Sequence, residues 1–156
     1  MASELDNMDR KILAELQRDA TLSVDQLSAR VSLSRNACWR RLKRLEDDGT
    51  ITGRVALVDA EKVGVGLSVF ILVRTSHHDP DWLAQFRSAV VSFPEITGVY
   101  RMSGDLDYVL RARVADVKAY DRLYQRLIAR VPLSDVSASF VMEEIKETTV
   151  IPVELR

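Results

Sequence analysis

Two hydrophobic periodicities divide the chain near residue 50. Before it, apolar residues recur every three or four positions; from about Val65 they run in short blocks between helical stretches. In "DNMDRKILAELQRDA", Met8, Ile12, Leu13 and Leu16 lie at helical spacing, and Asp6 or Asn7 is placed to cap the first turn. "SVDQLSARV" opens on Ser23 with Gln26 three residues on, the spacing of a capping box, and its apolar positions are Val24, Leu27 and Val31. A tight "SLS" link follows. Ser34 then caps a third helix that runs to about Asp48, where Gly49 supplies a left-handed stop. Two short helices joined by a few residues, the second one basic, make a helix-turn-helix pattern. "TITGRVALVD" alternates around Gly53 and predicts a short strand or wing before a link.

The second half reads as strand, helix, strand, strand, helix, strand. "LSVFILVRT" (67–75) is a strand whose nearly continuous apolar run implies burial on both faces, one of them against a partner chain. "PDWLAQFRSAVVSF" turns Trp82, Phe86, Ala89, Val90 and Phe93 inward. "ITGVYRM" and "DYVLRARV" are strands joined by a "SGDLD" turn around Gly104. "DVKAYDRLYQRLIARV" is a second helix through Val117, Tyr120, Leu123, Leu127 and Val131, and "DVSASFVMEEIKE" closes the order as a strand. Two right-handed crossovers then put both helices on one face of an antiparallel sheet, the ferredoxin-like βαββαβ arrangement, and leave the other face bare. The predicted class is α+β: a winged helix-turn-helix domain over 1–53, a linker strand over 54–64 and a ferredoxin-like oligomerisation domain over 65–156. An apolar sheet face without cover points to a homodimer through that domain.

Charge changes the picture only locally. The chain has 156 residues, 29% charged, and a net charge of -1, so nothing global draws it to nucleic acid and any such binding must come from a patch. The third helix has one. Cys38, Leu42 and Leu45 fall on one stripe, while Asn36, Trp39, Arg40, Lys43 and Arg44 point largely the other way. A basic face on a capped helix suits the major groove of double-stranded DNA. Ser34 caps that helix end, Arg35, Asn36, Trp39 and Arg40 are assigned to bases, and Arg41, Lys43 and Arg44 to the phosphate backbone, with Arg54 touching a phosphate beyond. The acids of "EDDG" oppose the helix dipole and belong away from phosphate.

Other chemistry is thin. No apolar run approaches the roughly 18 residues of a membrane span, and the polar start lacks a signal peptide, so the expectation is a cytoplasmic protein with no membrane association. The single cysteine, Cys38, forms no internal disulfide and reads as a packed small hydrophobe rather than a redox sensor. No ligand set for a metal is clustered, no cofactor is implied, and His77 and His78 read as a solvated loop. Without a nucleophile or metal constellation the chain is not expected to be an enzyme.

"LDNMDRKILAELQRDA", "RRLKRLEDDGTITG", "SGDLDYVLRARV" and "SFVMEEIKETT" together resemble the leucine-responsive and asparagine-responsive (Lrp/AsnC, feast/famine) family of bacterial transcription regulators, over nearly the whole chain and in the same order. The resemblance implies DNA-binding dimers that assemble further, often to octamers, with an amino acid bound in the C-terminal domains where dimers meet. It places effector binding in the loop Met102, Ser103, Gly104, Asp105, Leu106, Asp107 and Tyr108. Elementary chemistry agrees: Gly104 lets backbone N–H groups approach a carboxylate, and Asp105 or Asp107 suits an α-ammonium group, although the same residues also make an ordinary tight turn. Ser137, Ser139 and Val141 of the last strand are expected to complete the pocket, from this or another subunit. "CWRRLKRLEDDG" followed by "HH" is most similar to a branch controlling breakdown of cysteine or sulfur amino acids, which makes cysteine the first choice of effector, with leucine or methionine next. The alternative function is an architectural, DNA-compacting protein of little sequence specificity.

Overall fold

The computed structural model describes residues 4–76 and 79–153; His77 and His78 lie outside them. These residues form helices α1 (Asn7–Arg18), α2 (Val24–Arg30), α3 (Arg35–Asp47), α4 (Pro80–Val91) and α5 (Val117–Arg130), and strands β1 (Leu67–Arg74), β2 (Ile96–Arg101), β3 (Tyr108–Val114) and β4 (Asp135–Phe140). They separate into two units, 1–56 with 146–156, and 57–145.

The first unit is a trihelical helix-turn-helix whose ends are set by caps. Asp6 accepts from the N–H groups of Met8 and Asp9 at 2.8 and 2.9 Å, and the Asp9 carboxylate returns the favour to the Asp6 N–H at 3.1 Å. Ser23 and Gln26 close the predicted capping box on α2. The turn after α2 passes through Ser32 at φ 55°, and the Leu33 N–H reaches back to the Ser28 carbonyl at 3.0 Å, a Schellman closure made without glycine. Ser34 then caps α3 through the Ala37 N–H. Gly49 stops that helix at φ 77°, which an L side chain adopts only with strain. Ile12, Leu13, Leu16, Leu27, Val31, Cys38, Leu42 and Leu45 are the core.

Residues 54–64 do not form the predicted strand. Among the described residues this segment has no ladder partner for its N–H and C=O groups; residues 60–64 form a turn instead, with the Gly64 N–H on the Glu61 carbonyl at 3.0 Å. The division between the units falls at 56/57, inside the expected linker over 54–64. A second correction concerns the far end: residues 146–156, expected in the second domain, group with the first. The last strand is also shorter than expected, ending at Phe140.

The second unit is the ferredoxin-like arrangement. Its antiparallel sheet has strand order β2-β3-β1-β4. Val69, Ile71 and Val73 of β1 and Leu110, Ala112 and Val114 of β3 point toward α4 and α5, where Trp82, Phe86, Ala89, Val90, Leu123 and Leu127 complete the core. Register fixes what lies on the opposite face: Phe70 stands between Arg111 and Ser139, and Leu72 between Val109 and Ser137. That face carries no helix of the unit, and Phe70 is 37% exposed.

Candidate DNA interface and effector loop

On α3 the buried stripe of Cys38, Leu42 and Leu45 leaves Arg35, Asn36, Trp39, Arg40, Lys43 and Arg44 exposed, with Trp39 at 50%. Trp39, Arg40, Lys43 and Arg44 line one shallow hollow with Asp47 and Asp48. Burial holds the Cys38 thiol above its ordinary range, so it packs as a neutral hydrophobe.

The cations on and just beyond this helix differ in what holds them. Arg35 pairs with Asp25 at 2.8 Å, Lys43 with Asp47 at 3.2 Å and Arg54 with Glu46 at 2.8 Å, all between exposed side chains. Such pairs contribute roughly 0–1 kcal/mol, so a phosphate can displace them at little cost. Arg40 has no acidic partner among the described residues.

Arg41 and Arg44 differ. The Arg41 guanidinium donates to Asp6 at 2.6 Å and to Asp9 Oδ1 at 2.9 Å, and Arg44 meets Asp9 Oδ2 at 2.6 Å, while Asp9 itself is 0% exposed. A buried carboxylate is expensive unless fully paired, and this one takes donors from two arginines and the Asp6 N–H. Arg41, only 30% exposed, is therefore a brace between α1 and α3, which corrects its assignment to phosphate. Arg44 is shared: its NH2 group is committed to Asp9 while its side chain stays 43% exposed. The sequence reading missed Asp9 by placing Met8 on the apolar stripe. The available signal was that Asp9 stands three and four positions before Ile12 and Leu13, on their face.

The loop between β2 and β3 is closed by the Met102 N–H on the Asp107 carbonyl at 2.9 Å. Gly104 sits at φ 109°, a conformation that favours glycine. Asp105 is exposed, and its carbonyl accepts from Arg74 Nε at 2.9 Å; the same arginine pairs with Asp135 at 2.8 Å. Arg74 thus ties the loop to the start of β4, a role the sequence reading did not find; its position at the end of β1 was the only cue. Met102 and Ser103 are exposed beside Gly104.

Asp107 and Tyr108 are placed otherwise than expected. One Asp107 oxygen accepts from the Thr75 N–H at 2.8 Å, so that carboxylate braces the end of β1. The Tyr108 ring packs 4.7 Å from Phe86 on the helix-covered side, and strand alternation turns it away from Ser137 and Ser139. Ser137 stands opposite Leu72, two residues from Arg74. Ser139 stands opposite Phe70, and the Val141 N–H bonds the Ser68 carbonyl at 3.0 Å. At about 3.3 Å per residue, Val141 is some ~20 Å along the sheet from the loop, too far for one amino acid to span within a protomer.

Among the described residues no helix is long and apolar enough to cross a membrane, and no cluster of three His, Cys, Asp or Glu side chains is placed to hold a metal.

The pattern that defines a winged helix-turn-helix DNA-binding domain matches residues 5–52, and that of the Lrp/AsnC ligand binding domain matches residues 68–151. The chain is 52% identical over 151 residues to the DNA-binding transcriptional activator DecR of Escherichia coli K12, covering 96% of this chain and 99% of that one. It is 49% identical to the glutamate uptake regulatory protein of Zymomonas mobilis, over 97% and 93% of the two chains. The crystal structure of an AsnC family transcriptional regulator from Agrobacterium tumefaciens superposes with a TM-score of 0.93 at 49% identity, over 96% of this chain and 97% of that one. That of a transcriptional regulator from Neisseria meningitidis, in complex with L-methionine, superposes with a TM-score of 0.92 at 37% identity, over 97% and 98%.

Proposed function

The chain belongs to the Lrp/AsnC family of DNA-binding transcription regulators, not of enzymes, and from that premise we propose that it is a sequence-specific regulator of amino-acid metabolism whose DNA binding or assembly responds to a small free amino acid. The observation that carries this reading is the outward side of α3, where Asn36, Trp39 and Arg40 stand exposed opposite a buried anchoring stripe. Arg35, Asn36, Trp39 and Arg40 read base edges, Lys43 and Arg54 trade weak surface pairs for phosphates, and Ser34 fixes the helix end that points into the groove. Arg44 contributes to phosphate binding only with the part of its guanidinium that Asp9 leaves free.

The protein acts as a dimer through the open sheet face, with dimers assembling further, up to an octamer. Two recognition helices then meet half-sites about one helical turn apart, or a multiple of it, in an operator with two-fold symmetry. The amino acid binds at the 102–107 loop, where the exposed Asp105 takes the ammonium group and the backbone around Gly104 takes the carboxylate. Ser137 lies near enough to contribute from the same chain, whereas Ser139 and Val141 contribute from another subunit. Cysteine is the first effector to test, with leucine and methionine next; the L-methionine complex of the Neisseria regulator supports the ligand class. Binding regulates only if affinity differs between two states of the assembly.

Footprinting of the full chain on its own promoter region, with and without each amino acid, tests the reading. The expected result is a bounded, two-fold symmetric footprint that one small amino acid alters. In parallel, Asp105→Ala should abolish calorimetric binding of that amino acid and leave effector-free DNA binding intact. Protection without boundaries, insensitive to every amino acid, would instead indicate the architectural function.

A further inference from the structure

The C-terminal segment returns to the helix-turn-helix unit and lies along α1. The side-chain amide of Gln17 makes a reciprocal pair with one residue of that segment: its Nε2 donates to the Ile151 carbonyl at 3.0 Å and its Oε1 accepts from the Ile151 N–H at 2.7 Å. Arg10 donates to the Val153 carbonyl at 2.8 Å, and the Val153 side chain packs against the core of the unit. Because Ile151 meets Gln17 and Val153 meets the earlier Arg10, the segment runs antiparallel to the helix. Arg10 and Gln17 are seven positions apart, two turns along one face.

These contacts have the form of strand recognition. A primary amide presents the same donor and acceptor as a peptide group, so Gln17 replaces one rung of a β-ladder. Pro152, between the two recognised residues, holds an extended φ and has no N–H to leave unsatisfied. The other side of α1 does separate work: Asp9, next to Arg10, holds Arg41 and Arg44 of α3.

We propose that the Arg10–Gln17 face of α1 is a docking surface for the chain's own C-terminal segment, Ile151–Val153, and that seating it braces the helix on which the DNA-facing helix is held. The chain thereby joins its two units by two connections, one before β1 and one after β4. The bracing half of this proposal rests on the reading of α3 as the DNA-binding helix; the docking half does not.

The test uses full-length protein carrying Gln17→Ala, Ile151→Pro or both, with amide hydrogen exchange and operator affinity as readouts. Ile151→Pro removes the donated N–H and keeps the Ile151 carbonyl that Gln17 Nε2 meets. Each single variant should speed exchange across α1 by roughly tenfold, the scale of lost hydrogen bonds, and the amides of β1–β4 should not change. The double variant should do little more than either single one, since both break one pair. Operator affinity should fall severalfold in step. Unchanged α1 exchange, or fully additive effects, would overturn the docking; faster α1 exchange with undiminished affinity would overturn the bracing. If the unaltered chain binds no DNA, the DNA reading fails, and the exchange pattern still decides the docking.

Discussion

Charge alone does not tell a DNA-binding arginine from a structural one; the partner does. Arg40 and Arg41 are neighbours in a basic run, yet Arg40 faces outward without an acidic partner among the described residues while Arg41 is held by Asp6 and Asp9. The carboxyl of Asp6 carries a further consequence. The Asp9 N–H first and the Arg41 side chain second hold its pKa down to about 2 from 3.8. A carboxylate depressed on folding stabilises the native state above its unfolded value and loses that contribution as pH falls through the folded one. Asp6→Ala should therefore lower the melting temperature at neutral pH, with the gap to wild type narrowing as pH falls below about 4 and closing near pH 2. A gap that stays constant down to pH 2 in thermal melts would show that neither the cap nor the Arg41 contact depends on the ionised form.

The elements fall into those that announce themselves locally and those that depend on distant partners. α1, α2 and α3 were legible because each carries its own start signal and an apolar stripe, and β1 to β4 with α4 and α5 because their order and period allow few topologies. The expected strand over 54–64 was not formed, since alternation in "TITGRVALVD" describes a segment that needs a ladder partner and finds none among the described residues. The same reason hid the docked C-terminal segment: its stability lies in Gln17 and Arg10, more than a hundred positions earlier. In the effector loop, Gly104 and the exposed Asp105 were legible as turn chemistry, but the inward roles of Asp107 and Tyr108 were set by register with β1 and contact with Phe86.

For the whole molecule the open sheet face is the feature with most leverage. Phe70, Leu72 and Val109 form an apolar centre flanked by Ser137, Ser139 and Arg111, the anatomy of a protein interface rather than of a solvated sheet. Under the proposed dimer, Leu72→Asp places a charge at that centre. Light scattering should then report the mass of a monomer for a variant whose circular dichroism is unchanged, whereas an unaltered oligomeric mass would move the dimer interface elsewhere.

All regulation in this account depends on the outer side of α3 entering the major groove. The most direct measurement titrates wild type and Arg40→Ala against the operator duplex and a scrambled duplex of equal length, by fluorescence anisotropy at one salt concentration. Arg40→Ala should lose roughly tenfold to a hundredfold in operator affinity, the value of one good base contact, while its weak binding to the scrambled duplex changes much less. Superimposable operator curves for the two proteins would contradict that expectation.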